Sequence, residues 1–597
     1  MADAFLISST VPSHQQARIT RLLAFYGVNC VALSGNRLSE IAAQLSDFSR
    51  NGDRVCVIAP GKTLGELMTN EPDPRAAVEE FSRIPMSLFA FGFESGKPSE
   101  HFIRAISGDS LVCESVPSSR DVTFEVSSKC PEITAELSGH SFRTASRDGD
   151  SCFAKKSDSK SAETLIAANG KPFLCAFDRN QAKVFLSAGL EIVDLDEPAD
   201  DRFSFAEHFS RLIPILVFLK TTMGDQIWHS PNHSVANLII DDPLLRPRYG
   251  FVDFESLVQK SDEIDFTTTL AFIPWNHRRT NRSTVDLFRR RSDRLSICMH
   301  GCDHIAAEFG ATDLGKLNSI IRTSLSRTED LENTTGLSVS RSMVFPQGHF
   351  SPAAMLALKC NNFIAAVNTE MLSMAGTGEE KLTLADFLDL ATTRYHGFAL
   401  FRRRYPEDAA EFPLHLFVGK PLFIVEHHAF FKNGFDRLTA MVESVKTIKP
   451  EVRWTDASEI LLHSHKLRRA GENQMHCRMY ASSQVLENQN PTEQQFIVSK
   501  HEPKPELLKE ILVNDVPVEF VRTDDGVKFA LHMQPSSKVS VVFEYHNPLP
   551  CPPRKLSAKQ KTKIGMRRYL SEFRDNVIAR NQALLSAATT IKNLLSS

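Results

Sequence analysis

The chain has 597 residues, 42% of them hydrophobic and 24% charged, a balance that places it among folded globular proteins. That length exceeds one hydrophobic core and predicts three or four domains. A formal net charge of -3 and a pI of about 6.7 exclude bulk electrostatic attraction to nucleic acid or to an anionic membrane.

The opening residues, MADAFLISSTVPSHQQ, lack the basic and long apolar regions of a secretion signal. No apolar run is long enough to span a bilayer. The 11 cysteines are scattered without a CxxC pair, which predicts free thiols in a reducing compartment and a cytoplasmic protein.

Taken in chain order, the sequence predicts an α/β multidomain protein. Residues 1–200 form an N-terminal α/β domain. Its first half alternates strands (DAFLISS, NCVALS, RVCVIAP, MSLFAFGF) with helical stretches, the pattern of a doubly wound parallel sheet. Its second half is richer in strands (TFEVSS, KPFLCAF, AKVFLS, LEIVDLD). Gly61–Lys62–Thr63 follows a strand, but Cys56 stands where a phosphate loop needs its first Gly, so nucleotide binding by this route is rejected.

Residues 201–465 open on a helix and then alternate strand and helix again. The strands NLII, FTTTLAFIP, RLSICMH, SMVFP, FIAAVN and PLFIVEHH suffice for a distorted (β/α) barrel. Residues 470–550 predict a β-sandwich, with a hairpin turn at Asp525–Gly526. After NPLPCPP, residues 556–597 predict one long helix. Its apolar stripe runs through Met566, Leu570, Phe573, Val577, Leu584, Ile591 and Leu595. The favoured expectation is that this stripe packs back on the body; a protein partner is the alternative.

Three strand ends in the barrel region carry chemistry. The run Leu238–Ile240 ends in Asp241 and Asp242. Adjacent residues of a strand point to opposite faces, so two neighbouring acids at a strand end can serve different tasks. The strand RLSIC leads into His300 and His304, four apart; with one carboxylate they make a set suited to Zn²⁺ or a related divalent ion. Glu426, His427 and His428 follow the last apolar strand, and imidazole is suited to proton transfer near neutral pH.

An apolar strand ending in Asp-Asp, then His-x-x-x-His, then a Pro loop, then a late strand ending in His resembles the NodB-homology polysaccharide deacetylases over roughly residues 235–465. The resemblance implies metal-dependent hydrolysis of an acyl group on a sugar or related amide. It makes Asp241 the catalytic base and Asp242, His300 and His304 the ligands of a divalent metal, most simply Zn²⁺. His428, with His427 second, becomes the general acid. The loop Phe345, Pro346, Gln347, Gly348 and His349 becomes the part that shapes the substrate groove.

The departures are specific. Pro243 follows the Asp pair where the family has Gly, and Gly301 replaces a Ser or Thr. Val344 stands where the family has the Arg that orients the base, and only Asp386 and Asp389 offer a fourth motif. Metal binding therefore survives the comparison better than deacetylation does. The basic stretch with Trp275, Arg278 and Arg279 is read as a binding loop for an anionic substrate. Arg289–Arg291, Arg394 and Arg402–Arg404 are read as solvated faces or partner contacts. Two other readings stay open: a carbohydrate-binding or scaffold protein that keeps the fold without the chemistry, and a glycoside hydrolase using Asp241 with Glu426.

Overall fold

A computed structural model describes residues 3–8, 14–49, 54–115, 121–145, 149–155, 162–232, 234–374 and 381–581. In its N-terminal part nine strands form one sheet, in the order Asn29–Leu33, Asp3–Ile7, Val55–Pro60, Met86–Phe91, Ala182–Ser187, Lys171–Arg179, Glu163–Ala168, Asp121–Val126, Ser141–Ala145. The first five are parallel and the rest antiparallel, so the strand-rich stretch after residue 110 extends the same sheet. The helix Phe209–Met223 is apolar nearly all round and is correspondingly buried. Its Phe218 ring lies 5.3 Å from Phe89 and 5.4 Å from Phe185, on the face of this sheet.

Seven parallel strands then close a barrel: β1 (Val235–Asp241), β2 (Thr268–Phe272), β3 (Leu295–His300), β4 (Ser340–Val344), β5 (Ala366–Asn368), β6 (Leu400–Arg404) and β7 (Leu422–Glu426). β1 pairs with both β2 and β7 and so seals the ring. Alternate residues along each strand share a face. Ile239, Ala271, Cys298, Phe401 and Phe423 form one buried cluster, distinct from the larger core that takes Leu238, Ile240 and Leu270. The small residues Ala271 and Cys298 leave room for the Phe rings in a narrow interior. Two residues along, on the same face, stand Asp241 after Ile239, His300 after Cys298 and Arg403 after Phe401. The face that fills the barrel therefore ends, at its upper rim, in charge and imidazole.

The β-sandwich packs a five-stranded sheet (from His465–Gly471 to Gly526–Met533) on a four-stranded one that includes Leu508–Val513 and Lys538–Tyr545. Tyr480 and Ala481 join the barrel-interior cluster beside Val235, Ala365 and Ala399, at the end where the barrel strands begin. The sandwich thus stoppers the lower end and leaves the upper end to the candidate site.

The terminal helix, Ala558–Phe573, starts at a Ser557–Gln560 capping box and continues through a π-type turn to Ile578. It packs back on the barrel, but not through the expected stripe. Ile564, Arg568, Glu572 and Asp575 are buried, while Met566, Leu570, Phe573 and Val577 are exposed. Leu584, Ile591 and Leu595 lie outside the described residues. The polar face wins because it finds charge-assisted partners. Arg279 donates to both oxygens of Glu572, with Nη2–Oε2 at 2.7 Å, and stacks over Tyr569. Tyr249 donates to Asp575 (2.8 Å), and the Gly250 N–H donates to Asn576 (2.7 Å).

Glu572→Ala should release this helix, since it leaves Arg279 without its main anchor. Hydrogen exchange should quicken across 558–578 and stay unchanged in β1–β7. Equal protection in both proteins would show that the pair does not hold the helix.

Candidate metal centre

β1 ends at Asp241, and the chain turns at once. Asp242 takes φ +84, in the left-handed region that side chains rarely adopt. That turn aims the two neighbouring carboxylates at different targets. Strain of this kind, of order 1–3 kcal/mol, persists where the surroundings impose it, and it is common at functional sites.

Asp241 accepts two parallel hydrogen bonds from Arg403, Nη1–Oδ1 and Nη2–Oδ2, each 2.7 Å. Both side chains are 4% exposed. Burial opposes charge on Asp241, but Arg403, with His300 and His427, outweighs it and holds the carboxyl well below its ordinary range. This corrects the reading of Arg402–Arg404 as a solvated face or partner contact. All three lie in β6, and Arg402 and Arg404 donate to the Phe203 carbonyl while Arg403 reaches the site. Val344 carries no guanidinium, but Arg403 brings one to Asp241 from another strand. The sequence held a signal for it: Arg403 shares the inward face with Phe401, two positions earlier.

Asp242, His300 and His304 each present a ligand atom, all within 4.8 Å of one another. The Asp242 Oδ1 atom is 3.1 Å from His304 Nε2 and 3.7 Å from His300 Nε2. Neither approach is a hydrogen bond, and this buried oxygen has no hydrogen-bond partner. His300 Nδ1 lies 3.0 Å from the Val344 carbonyl. A carbonyl only accepts, so Nδ1 carries the proton and Nε2 keeps its lone pair toward Asp242. Burial pushes both imidazoles below their ordinary value, despite the acids beside them. Burial also opposes charge on Asp242, but His304, His300 and Arg568 outweigh it and hold its carboxyl down. An orphaned oxygen facing two imidazole nitrogens is a donor set that fits a divalent cation of zinc type.

The turn carrying His304 is itself fixed. Gly301 has φ +69, and a Cβ there would lie 2.3 Å from Pro346 Cγ. Buried Glu308 accepts the backbone N–H groups of Cys302, Asp303 and His304 at 2.9–3.1 Å. Cys302, Asp303 and Glu308 also lie close enough together to suggest a metal. Glu308 is committed to that turn, however, and Asp303 to Arg327 (2.6 Å) and Arg554.

The ligand set opens into a cavity of about 370 Å³ at the C-terminal ends of the barrel strands. Asp241, Arg403, His427, Gln347, Gly348 and Tyr405 line it with the three candidate ligands. The terminal helix roofs it with Arg567, Arg568, Ser571, Arg574 and Asp575, a contribution that no strand-end motif announces.

Other candidate residues stand elsewhere. His428 is not in the lining. Its ring packs against Phe251 and Tyr249, and its Nε2 is 3.4 Å from Asp575 Oδ1. Gly250, at φ +56, allows that packing, since a Cβ there would sit 2.3 Å from His428 Nδ1. Phe345 packs on Phe350 and Phe309, Pro346 abuts Gly301, and His349 is half-buried outside the lining. Trp275 lies under Gly565 of the terminal helix, Arg279 holds that helix, and exposed Arg278 pairs with Asp330 (3.0 Å). Asp386 caps a helix, and Asp389 binds Lys466 and Tyr480 beside a different cavity. Glu426, raised to about 7 by burial, is absent from the lining that holds Asp241.

No protein-family model matches the sequence, and no curated protein is significantly similar to it. Among solved structures the chain is distantly similar to a polysaccharide deacetylase of Bacillus cereus. The identity is 16%, the match covers 37% of this chain and 92% of that one, and the TM-score is 0.21. A CE4 esterase of Streptococcus mutans matches at 11% identity, over 37% and 84% of the two chains, with a TM-score of 0.23. A peptidoglycan N-acetylglucosamine deacetylase matches at 12%, over 38% and 87%, with a TM-score of 0.21.

Replacing Arg403 by Met strands a buried carboxylate and should cost about 3–5 kcal/mol at neutral pH. In the native protein the lowered Asp241 carboxyl contributes stability that is present above its unfolded value, about 3.9. That contribution is lost only as pH falls through the still lower folded value. In the variant, burial raises the carboxyl instead, so protonation relieves the penalty. Chemical denaturation should show the deficit largest near pH 8 and shrinking toward pH 5. A deficit constant with pH would exclude Asp241 as its origin.

Proposed function

We propose that this chain is a metal-dependent hydrolase that removes an acyl group from an N-acylated sugar or related amide. The observation that carries the reading is the convergence of Asp242 Oδ1, without a hydrogen-bond partner, with the Nε2 atoms of His300 and His304 at the mouth of the barrel. Asp242, His300 and His304 would hold the cation, for which zinc is the simplest choice. When bound, the cation supplies Lewis acidity, polarising the acyl carbonyl and making water a better nucleophile.

The remaining steps belong to side chains. Asp241 accepts the proton of the attacking water. The Arg403 fork keeps it ionised and aimed, although the same pairing makes it a weaker base. His427 lines the cavity and delivers a proton to the leaving amine. His428 stands behind it, set by Asp575 and by the rings of Phe251 and Tyr249, and acts as a positioning residue. The Gln347–Gly348 loop borders the groove.

Purified protein should bind about one divalent cation per chain. Asp242→Ala should lose it, and unchanged metal content would refute the ligand assignment. With metal content preserved, His427→Gln should lower acetate release from N-acetylated amino sugars by about 10²–10⁴-fold. The corresponding loss in His428→Gln should be smaller. The reverse order would transfer the acid's role to His428.

A further inference from the structure

The terminal helix brings a guanidinium to the candidate metal centre and leaves it unsatisfied. Arg568 is 3% exposed and lines the cavity with Asp242 and His304. Its Nε and Nη2 atoms are buried and have no hydrogen-bond partner among the described residues. Burying charged N–H donors without hydrogen-bond acceptors costs free energy. Such a group persists where the helix is held by other contacts, as it is here through Glu572, Asp575 and Asn576.

Asp242 attracts this charge across the cavity, but no cavity acid accepts a hydrogen bond from these two atoms. Arg403 is taken by Asp241, and Arg574 Nε by Asp575 at 2.7 Å. The lining holds four acids (Asp241, Asp242, Glu370, Asp575) and four arginines (Arg403, Arg567, Arg568, Arg574), which cancel. A dication on Asp242, His300 and His304 would leave the cavity with a positive excess. A neutral acylated sugar does nothing to offset that excess, whereas an oxyanion on the substrate does. Guanidinium is suited to the task, because its planar fork matches phosphate and carboxylate oxygens.

We infer that the terminal helix gives the site an anion subsite centred on Arg568, and that the substrate is an acylated compound bearing a phosphate or carboxylate group. The substrate statement rests on the hydrolase reading above; the subsite itself does not. It places the anionic end of the substrate under the helix and the acyl group toward Asp241 and His427.

The test is calorimetric titration of the full chain with inorganic phosphate, acetate, N-acetylglucosamine and N-acetylglucosamine 6-phosphate, before and after chelator treatment. The 6-phosphate should bind the metal-loaded chain at least about tenfold more tightly than the neutral sugar, the worth of a charge-assisted contact. The ratio of phosphate to acetate affinity separates a phosphoryl from a carboxylate substrate. Arg568→Gln should lose that advantage, and Arg568→Lys should keep part of it by retaining charge without the fork. Hydrogen exchange over 558–578 checks that both variants keep the helix.

Phosphate binding that survives the chelator and fails in Arg568→Gln supports the subsite. Binding abolished by the chelator but unaltered in Arg568→Gln places the anion on the metal and overturns it, as does equal affinity for the two sugars. Phosphate binding at Arg568 without any acetate release would sink the hydrolase reading and leave the subsite standing.

Discussion

Two opposite charges close the upper end of the barrel. The Asp241 carboxylate and the Arg403 guanidinium meet in two hydrogen bonds of 2.7 Å, on top of an apolar interior that includes Ile239 and Phe401. Neither charge could stay there alone, because an isolated buried ion is expensive and would shed its charge. Together they fix the end of β1, and that fixed end lets the next residue turn sharply away. Asp242 then faces His300 and His304 rather than its neighbour. The repulsion expected of adjacent acids is thereby divided between two sets of partners, a guanidinium for one and a pair of imidazoles for the other.

The same logic organises the layers around the pair. The Val344 carbonyl orients His300, and Glu308 gathers the backbone N–H groups of the turn that carries His304. The terminal helix adds a roof whose polarity is inverted. Its charged face turns inward to Arg279 and Tyr249, and its apolar face meets solvent. A helix usually buries its apolar stripe because that burial is the main driving force for docking. Here directed, charge-assisted bonds decide which face docks.

Much of the architecture was legible in the chain. Alternating apolar strands and helices announced the barrel, and Leu238–Ile240 followed by Asp241 and Asp242 announced a strand end with work to do. The His300 and His304 spacing was readable because both lie within one short turn of one strand end. Arg403 was not, since three consecutive arginines look like a solvated face until the strand's alternation is set against the barrel interior. The arginines and Asp575 of the terminal helix were further still from any motif, more than 250 residues along the chain from His304.

What the sequence determined by itself was local: periodicities, turns and the chemical types available at each strand end. Those depend on residues close together in the chain, where geometry follows from 2.0- and 3.6-residue repeats. Only the tertiary structure decided the pairings between distant residues. It matched Arg403 with Asp241, set Asp575 beside His428, placed His427 rather than His428 in the cavity, and brought Arg568 to the cavity that Asp242 and His304 line. These pairings depend on how strands close into a ring and how a helix docks across its mouth. Closure and docking are set by the summed burial and ion pairing of the whole molecule, which no single stretch of chain contains.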